Sequence, residues 1–357
     1  MKLITDLLDI EEHWKGFQSD PASPYQSFSW YCHWLRAAER SSSGRPMAVV
    51  WGDEPAQRNG LLPLVITSCC GIEVARFVGG KHSNYNMPLL QAPATAISPK
   101  YCFDKTALLS NGIDAIVLTS MPASGLRWAL ATRPTATWRH TADCFVTDLS
   151  IDKYVEANIR FQSGSKRTRA RRLFKFHTPQ NPAECAKILS EFARHREAWS
   201  TAKRIPNEFA EPAVLETFLR LAVDPSSGMR LHYLEHESQM VAIAATLKTD
   251  SHESLMFISY DAHSETAKLS PGLYLISELL SRARQSGVRY FDFGLGESNY
   301  KERFGAQRVE TYCAGFGLSM KGKLYVQVVA AVGSLKRRIK KNRILYRGMQ
   351  RVLAGIR

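Results

Sequence analysis

The sequence predicts a mixed α/β protein built as two successive modules, each an antiparallel meander followed by a parallel strand–helix–strand crossover. Two observations carry this. Residues 229–260 read as three β-prone runs, MRLHYLE, MVAIAATLK and ESLMFISY, separated only by short polar turns. Residues 270–293 then read as a helix followed by a strand, and a strand–helix–strand succession calls for parallel pairing. The first half repeats the same order in degraded form, without any residue-level repeat.

The crossover helix is the clearest element. Ser270 can cap it, and Pro271 suits the first helical position, where a missing N–H costs nothing. Leu275, Ile276, Leu279, Leu280 and Ala283 recur at helical spacing and define a buried face, while Arg282, Arg284 and Gln285 stay in water. Gly287 stops the helix, and Val288–Phe293 is β-prone. The chain then turns through Gly294 and Gly296 to Glu297, Tyr300 and Lys301. Upstream, Pro182–Trp199 and Pro212–Val223 are helical, and Thr311–Leu318 supplies a last strand.

In the first half the pattern predicts a helix over Gln26–Arg40 and strands at Met47–Trp51, Gly60–Thr67 and Glu73–Val78. A helix over Tyr101–Ser110 and strands at Ala115–Thr119 and Cys144–Leu149 follow. The expected organisation is a first module over 1–150, a second over 151–320 and a C-terminal tail over 321–357.

At 357 residues and 45% apolar composition, the chain suits two globular domains rather than disorder. No run approaches the roughly 20 apolar residues that span a bilayer, and the N-terminal segment brings acids too early for a secretory leader, so a cytoplasmic protein is expected. Seven Cys without a CxxC pair fit reduced thiols, and His232 with His236 lies on a strand-like segment unsuited to a metal pair, so no metal is expected.

The net charge of +14 is unevenly placed. Residues 321–357 hold eleven of the 47 Lys and Arg and no acid, leaving 36 basic against 33 acidic groups elsewhere. The body is thus nearly neutral and no DNA partner is expected. Apolar residues interleave with the basic ones in the tail, which therefore suits an anionic membrane surface, an acidic partner or a solvated helix covering the core. A second basic cluster, GSKRTRARRLFK, is placed on a helix beginning after Gly164, either as a solvated face or as a partner for phosphates.

The run Pro271, Gly272, Gly287, Asp292, Phe293, Glu297, Tyr300, Lys301 resembles the CelD/BcsL-like acyltransferase family of the GNAT (Gcn5-related N-acetyltransferase) superfamily. SFSWYCHWL, LLPLVI and RFVGGKHSNYNMPLL extend the resemblance more weakly. It implies two tandem GNAT-like modules, related in architecture to the FemABX transferases, with an acyl-CoA site in the second and an acceptor-shaping role for the first. Three antiparallel strands and one parallel crossover is the GNAT element order.

Thioester-to-amine acyl transfer needs an anchor for phosphates, polarisation of the carbonyl, removal of the amine proton and protonation of the thiolate. The free N–H groups and positive end of the helix starting at Pro271 suit the anchor, with Ser270, Pro271, Gly272 and Leu273 as contacts. Here Lys268, Leu269, Ser270, Pro271, Gly272 stand where most of the superfamily has a Gly-rich motif with arginine or glutamine. Ser259 and Tyr260 are candidates for backbone pairing with the pantetheine arm. Asp292 is a general-base candidate or a structural carboxylate, and Glu297 is the second base candidate. Tyr300 can donate to the thiolate or be a core aromatic; Lys301 can bind the acceptor or pair with a nearby carboxylate. His195 and Trp199, four apart on a helix, are placed beside the acceptor or, for the histidine, in the packed helix interface.

The reading is an acyl-CoA-dependent N-acyltransferase, using acetyl-CoA or a longer acyl-CoA, that acts on an amine of a polysaccharide, amino-sugar or lipid-linked envelope precursor, possible at the inner membrane face. Its rivals are an aminoacyl-tRNA-dependent transferase of FemABX type, although no sustained heptad marks that group's coiled-coil arm, and a non-catalytic scaffold.

Overall fold

A computed structural model describes residues 1–17, 23–42, 44–54, 57–90, 103–133, 135–151, 164–179 and 181–341. The tail beyond 341, the start of the expected 101–110 helix and the segment just after the expected boundary at 150 lie outside these residues. The chain forms two compact units, Met1–Ala142 with Glu310–Arg357, and Asp143–Val309.

In the first unit, β1 (Lys2–Ile4) leads to α1 (Leu7–Lys15) and α2 (Phe28–Ser42), neither β1 nor α1 having been expected from sequence. β2 (Arg45–Glu54), β3 (Gln57–Cys69) and β4 (Ile72–Arg76) form the antiparallel meander, with β5 (Leu89–Leu90) on β3. After α3 (Lys105–Ser110), β6 (Ala115–Pro122) pairs parallel with β4. α4 (Ala123–Thr132) follows, then β7 (Thr137–Asp148), which ends in the second unit. The core holds Met47, Leu62, Leu64, Ile116 and Leu118, with Trp51 stacked on Trp128.

The second unit repeats this order. α5 (Ser165–Leu173), β8 (Lys175–His177), α6 (Pro182–Lys203) and α7 (Pro212–Val223) precede the meander β9 (Met229–His236), β10 (Gln239–Lys248) and β11 (His252–Tyr260). α8 (Pro271–Gln285) then carries the chain to β12 (Tyr290–Leu295), parallel to β11. The strand order is β7, β12, β11, β10, β9, β8. α9 (Asn299–Arg303) leads to β13 (Gln307–Gly317), most of which lies in the first unit and pairs with β6, and α10 (Met320–Lys341) ends the described chain. In both units three antiparallel strands are thus followed by one parallel crossover and an antiparallel strand beyond it.

α8 forms where the apolar spacing places it. Leu275, Ile276, Leu279, Leu280 and Ala283 are buried against Leu234, Ala242, Ala244, Leu255 and Phe291. Burying each such aliphatic side chain contributes about 1.5–3 kcal/mol, so this face fixes the helix on the sheet. On the other side of β11, Phe257 packs among Phe192 of α6, Phe218 of α7 and Phe209 between them.

Candidate functional site

β11 and β12 pair over only three positions, His252↔Tyr290, Glu253↔Phe291 and Ser254↔Asp292. The cause sits on β11 itself. Against β10, Ala245 faces Phe257 while the next residue, Thr246, faces Leu255, so Met256 is an extra residue. Such a bulge bends its strand and raises the local twist. From Met256 to Tyr260, among the described residues, no strand pairs with the β12-facing edge of β11. Backbone N–H and C=O groups on such an edge are open to an extended ligand. Period-2 patterning carries no sign of the bulge, so the strand was legible from sequence but its bend was not.

α8 starts beside this edge. A Cβ at Gly272 would touch the Tyr260 ring at 3.4 Å and Ile258 at 3.8 Å. Ser270 occupies the cap position but with φ 54° and ψ 61°, and its hydroxyl makes no capping bond, contrary to the capping role expected from sequence. The reason is conformational: a capping side chain acts from extended backbone, and left-handed Ser270 continues the one-turn helix Glu265–Leu269 through its N–H to the Ala267 carbonyl. A non-Gly residue held at positive φ stores about 1 kcal/mol of strain. Pro271 and Gly272 are buried, and Ser270 and Leu273 are half-buried.

The basic cluster expected after Gly164 is α5, which packs on the Glu265–Leu269 turn and on α8. Arg167 is buried, with its guanidinium 5.7 Å from the centre of the Tyr274 ring, and burial brings its pKa down to about 10. Lys166, Arg169, Arg171 and Arg172 stay exposed on the same short helix. Cations and a helix start therefore share one region of the second unit. Sequence marked both features; only folding brought them together.

Asp292 stands where the two strands part. Its carboxylate accepts from the Ser254 hydroxyl of β11 at 3.2 Å and from the Gly294 N–H at 2.8 Å. This ties β11 to the turn after β12, and Ser254 is the partner that sequence reasoning did not identify. Lys301 is buried with its ammonium directed at the carbonyls of Gly294, Leu295 and Gly296, at 2.9, 3.1 and 2.9 Å. All three ammonium protons are thus engaged, leaving none for the acceptor contact expected from sequence. Burial pushes the Lys301 pKa down, opposed by the charge of Asp292. The clamp closes on a turn that needs left-handed backbone at Gly294 (φ 76°) and Gly296 (φ 92°).

Glu297 follows that turn and is exposed. Tyr300 is half-buried against Phe293, and burial raises its pKa to about 12, so it remains a protonated donor near neutrality.

His195 of α6 is buried, with Nδ1 3.3 Å from the Ser259 hydroxyl on the free stretch of β11. Its Nε2 has no partner among the described residues. Burial first and then Arg194 depress its pKa, so the ring is neutral at pH 7. Trp199, one turn on, is exposed with the Arg196 guanidinium 4.5 Å above it. The structure thus joins His195 to Ser259, both singled out from sequence, and leaves Trp199 open to solvent.

Comparisons with known proteins bear on the fold. The acetyltransferase (GNAT) domain family matches residues 159–302, which lie within the second unit. No curated protein matches. FemX, a solved structure, is similar over 92% of this chain and 100% of its own, at 10% identity and a TM-score of 0.62. A conserved protein of unknown function from Bacteroides thetaiotaomicron VPI-5482 is similar over 88% of this chain and 99% of its own, at 12% identity and a TM-score of 0.57. L-PGS from Bacillus licheniformis is similar over 92% and 96%, at 14% identity and a TM-score of 0.54. At such identities these structures share the fold alone. Residues 159–302 of the second unit are thus similar to the acetyltransferase (GNAT) domain family, within a mixed α/β fold that 92% of the chain shares with FemX.

Proposed function

We propose that the chain is an N-acyltransferase that moves an acyl group from a coenzyme A thioester to an amine. One observation carries the reading: the bulge at Met256 frees the edge of β11 beside the start of α8, in the domain matched as an acetyltransferase. The donor phosphates meet the first turn of α8 at Ser270, Pro271, Gly272 and Leu273, with the cations of α5 nearby. The pantetheine arm pairs with the free stretch of β11 at Ser259 and Tyr260, so that an N–H of this edge polarises the thioester carbonyl.

The acceptor nitrogen attacks the thioester carbon, the tetrahedral intermediate collapses and the C–S bond breaks. His195, neutral and with Nε2 unengaged, takes the amine proton, while its Nδ1 is oriented by Ser259. Tyr300 donates its proton to the leaving thiolate. Asp292, held by two donors, fixes the site, and Glu297 is the competing base. Trp199 borders the acceptor, for which the CelD-like resemblance implies an amine of a polysaccharide or lipid-linked precursor.

A second reading, an aminoacyl-tRNA donor, is favoured by the density of exposed cations on α5 beside α8. Titration calorimetry with acetyl-CoA, a long-chain acyl-CoA and an aminoacyl-tRNA separates the two. Heat from a thioester supports the first reading. Heat from the tRNA alone overturns it, and silence from all three removes both.

A further inference from the structure

α10 belongs to the first unit and has two unlike sides. One is locked down. Tyr325 and Val326 pack on Ile72, Val74, Ala115, Val117 and Cys313, and a Cβ at Gly315 would collide with Val326. A Cβ at Gly322 would collide with the Asp114 carbonyl, so the helix start lies directly on the chain before β6. Ser319 accepts from the Gly322 N–H and donates to Asp114 at 2.7 Å, and Lys321 pairs with the same carboxylate at 2.9 Å. The helix is therefore a fixed part of its unit rather than a loose extension.

The other side is apolar and bare. Met320, Leu324, Val328, Val332 and Leu335 are 79%, 63%, 51%, 45% and 58% exposed. Steps of four, four, four and three residues keep them on one side of a helix, in a row roughly 22 Å long at 1.5 Å per residue. Lys321, Lys323 and Arg338 are exposed along its flanks. Single exposed aliphatic residues need no explanation, but a continuous row rimmed by cations does.

We propose that this face docks on an anionic lipid bilayer, with the row inserted at the boundary between headgroups and acyl chains. Charge selects this occupant. Lys321, Lys323 and Arg338 flank the row and the sequence holds no acid from residue 321 onward, so a second copy laid on the same face would meet matching cations, whereas acidic lipids supply the opposite charge. The inference is independent of the donor chemistry, since every residue it uses lies outside the acetyltransferase domain.

The test is co-sedimentation of the full chain with vesicles of phosphatidylcholine alone and of phosphatidylcholine mixed with phosphatidylglycerol. Binding is expected only to the acidic vesicles, and raising salt to 0.5 M should weaken it about tenfold, as screening requires. Leu324→Ser, Val328→Ser and Leu335→Ser together change exposed positions, so the fold, followed by circular dichroism, should be retained while vesicle binding drops about tenfold or more. Three outcomes overturn the proposal. They are a full chain that ignores acidic vesicles, a triple variant that binds as well as the parent, and a parent dimer that the triple variant converts to monomer.

Discussion

The two crossovers, β4 to β6 and β11 to β12, are built to one plan and end differently. Each pairs its strands in parallel over three positions, Val74↔Ala115 to Arg76↔Val117 in one and His252↔Tyr290 to Ser254↔Asp292 in the other. In the first unit β4 stops where the pairing stops, and past that point Asn86 bonds the Thr119 and Ser120 carbonyls of β6. In the second, β11 continues six residues past the last pair, turned aside by its bulge. The helices differ in the same sense. α3 has six residues, and the Asp104 carboxylate accepts from the N–H groups of Thr106 and Ala107, placing a negative charge where an anion would sit. α8 has fifteen residues, and no side chain caps its start. A common scaffold thus becomes a candidate donor site through two local changes, an extra residue in a strand and a missing cap on a helix.

Breaking the turn that follows β12 should have the largest effect. Lys301→Met would leave the buried Gly294 carbonyl and the partly buried carbonyls of Leu295 and Gly296 without their donor, and at about 1–3 kcal/mol for a buried unsatisfied group the loss should be about 1–3 kcal/mol. Denaturant unfolding measures this, and a variant within about 0.5 kcal/mol of the parent would show that the clamp contributes nothing. No comparable penalty is expected from Lys321→Met in the first unit, because that ammonium is largely exposed and its pair with Asp114 is screened.

The proposed base gives the next effect. His195→Gln should lower kcat by about 10²–10⁴ with KM nearly unchanged, whereas Glu297→Gln should leave kcat within about threefold if His195 is the base. The reverse ranking would move the role to Glu297.

Acid stability offers a third comparison. Burial lowers the His232 pKa to about 3, and Nδ1 and Nε2 lie 3.2 and 3.3 Å from the hydroxyls of Thr178 and Thr246. The folded value is below the unfolded one, so the unfolded chain takes up the proton first. Stability is full above about pH 6.5 and falls as pH drops toward 3. His232→Gln should flatten this acid limb in urea titrations. The half-buried His82 of the first unit, whose pKa desolvation lowers to about 4, should contribute a smaller fall over a narrower range.

The smallest effect tests the two helix starts directly. Asp104→Ala should cost about 0.5–2 kcal/mol, the usual loss for a removed cap, and leave donor binding untouched. Ser270→Ala should cost nearly nothing in cap energy because no cap bond exists, and Ser270→Gly should stabilise by about 1 kcal/mol through relief of the left-handed backbone. Thermal unfolding resolves both, and equal losses at the two positions would refute the contrast drawn here.

Much of the fold was legible because periodicity reports burial. The meander and α8 came from alternating and helical apolar spacing, and Pro212 fixed the start of α7 where it was expected. The first unit was read less completely: β1, α1 and α4 escaped notice because short or weakly periodic segments take their structure from packing. Of the candidate site, residue types were visible but not their partners. Tyr-Lys after an Asp-Phe strand marked an important turn, yet nothing in that string says that Lys301 faces inward to three carbonyls or that Asp292 reaches Ser254 on another strand.

By itself, then, the sequence determined the order of the meander strands and of α8, and the placing of charge in α5 and the tail, since these follow from local spacing and composition. Tertiary structure alone decided that β11 bends at Met256, that Ser270 is left-handed and that α10 turns an apolar row outward. Each of these depends on which neighbour lies across from a residue, and that is settled only when segments far apart in the chain compete to bury the same surface.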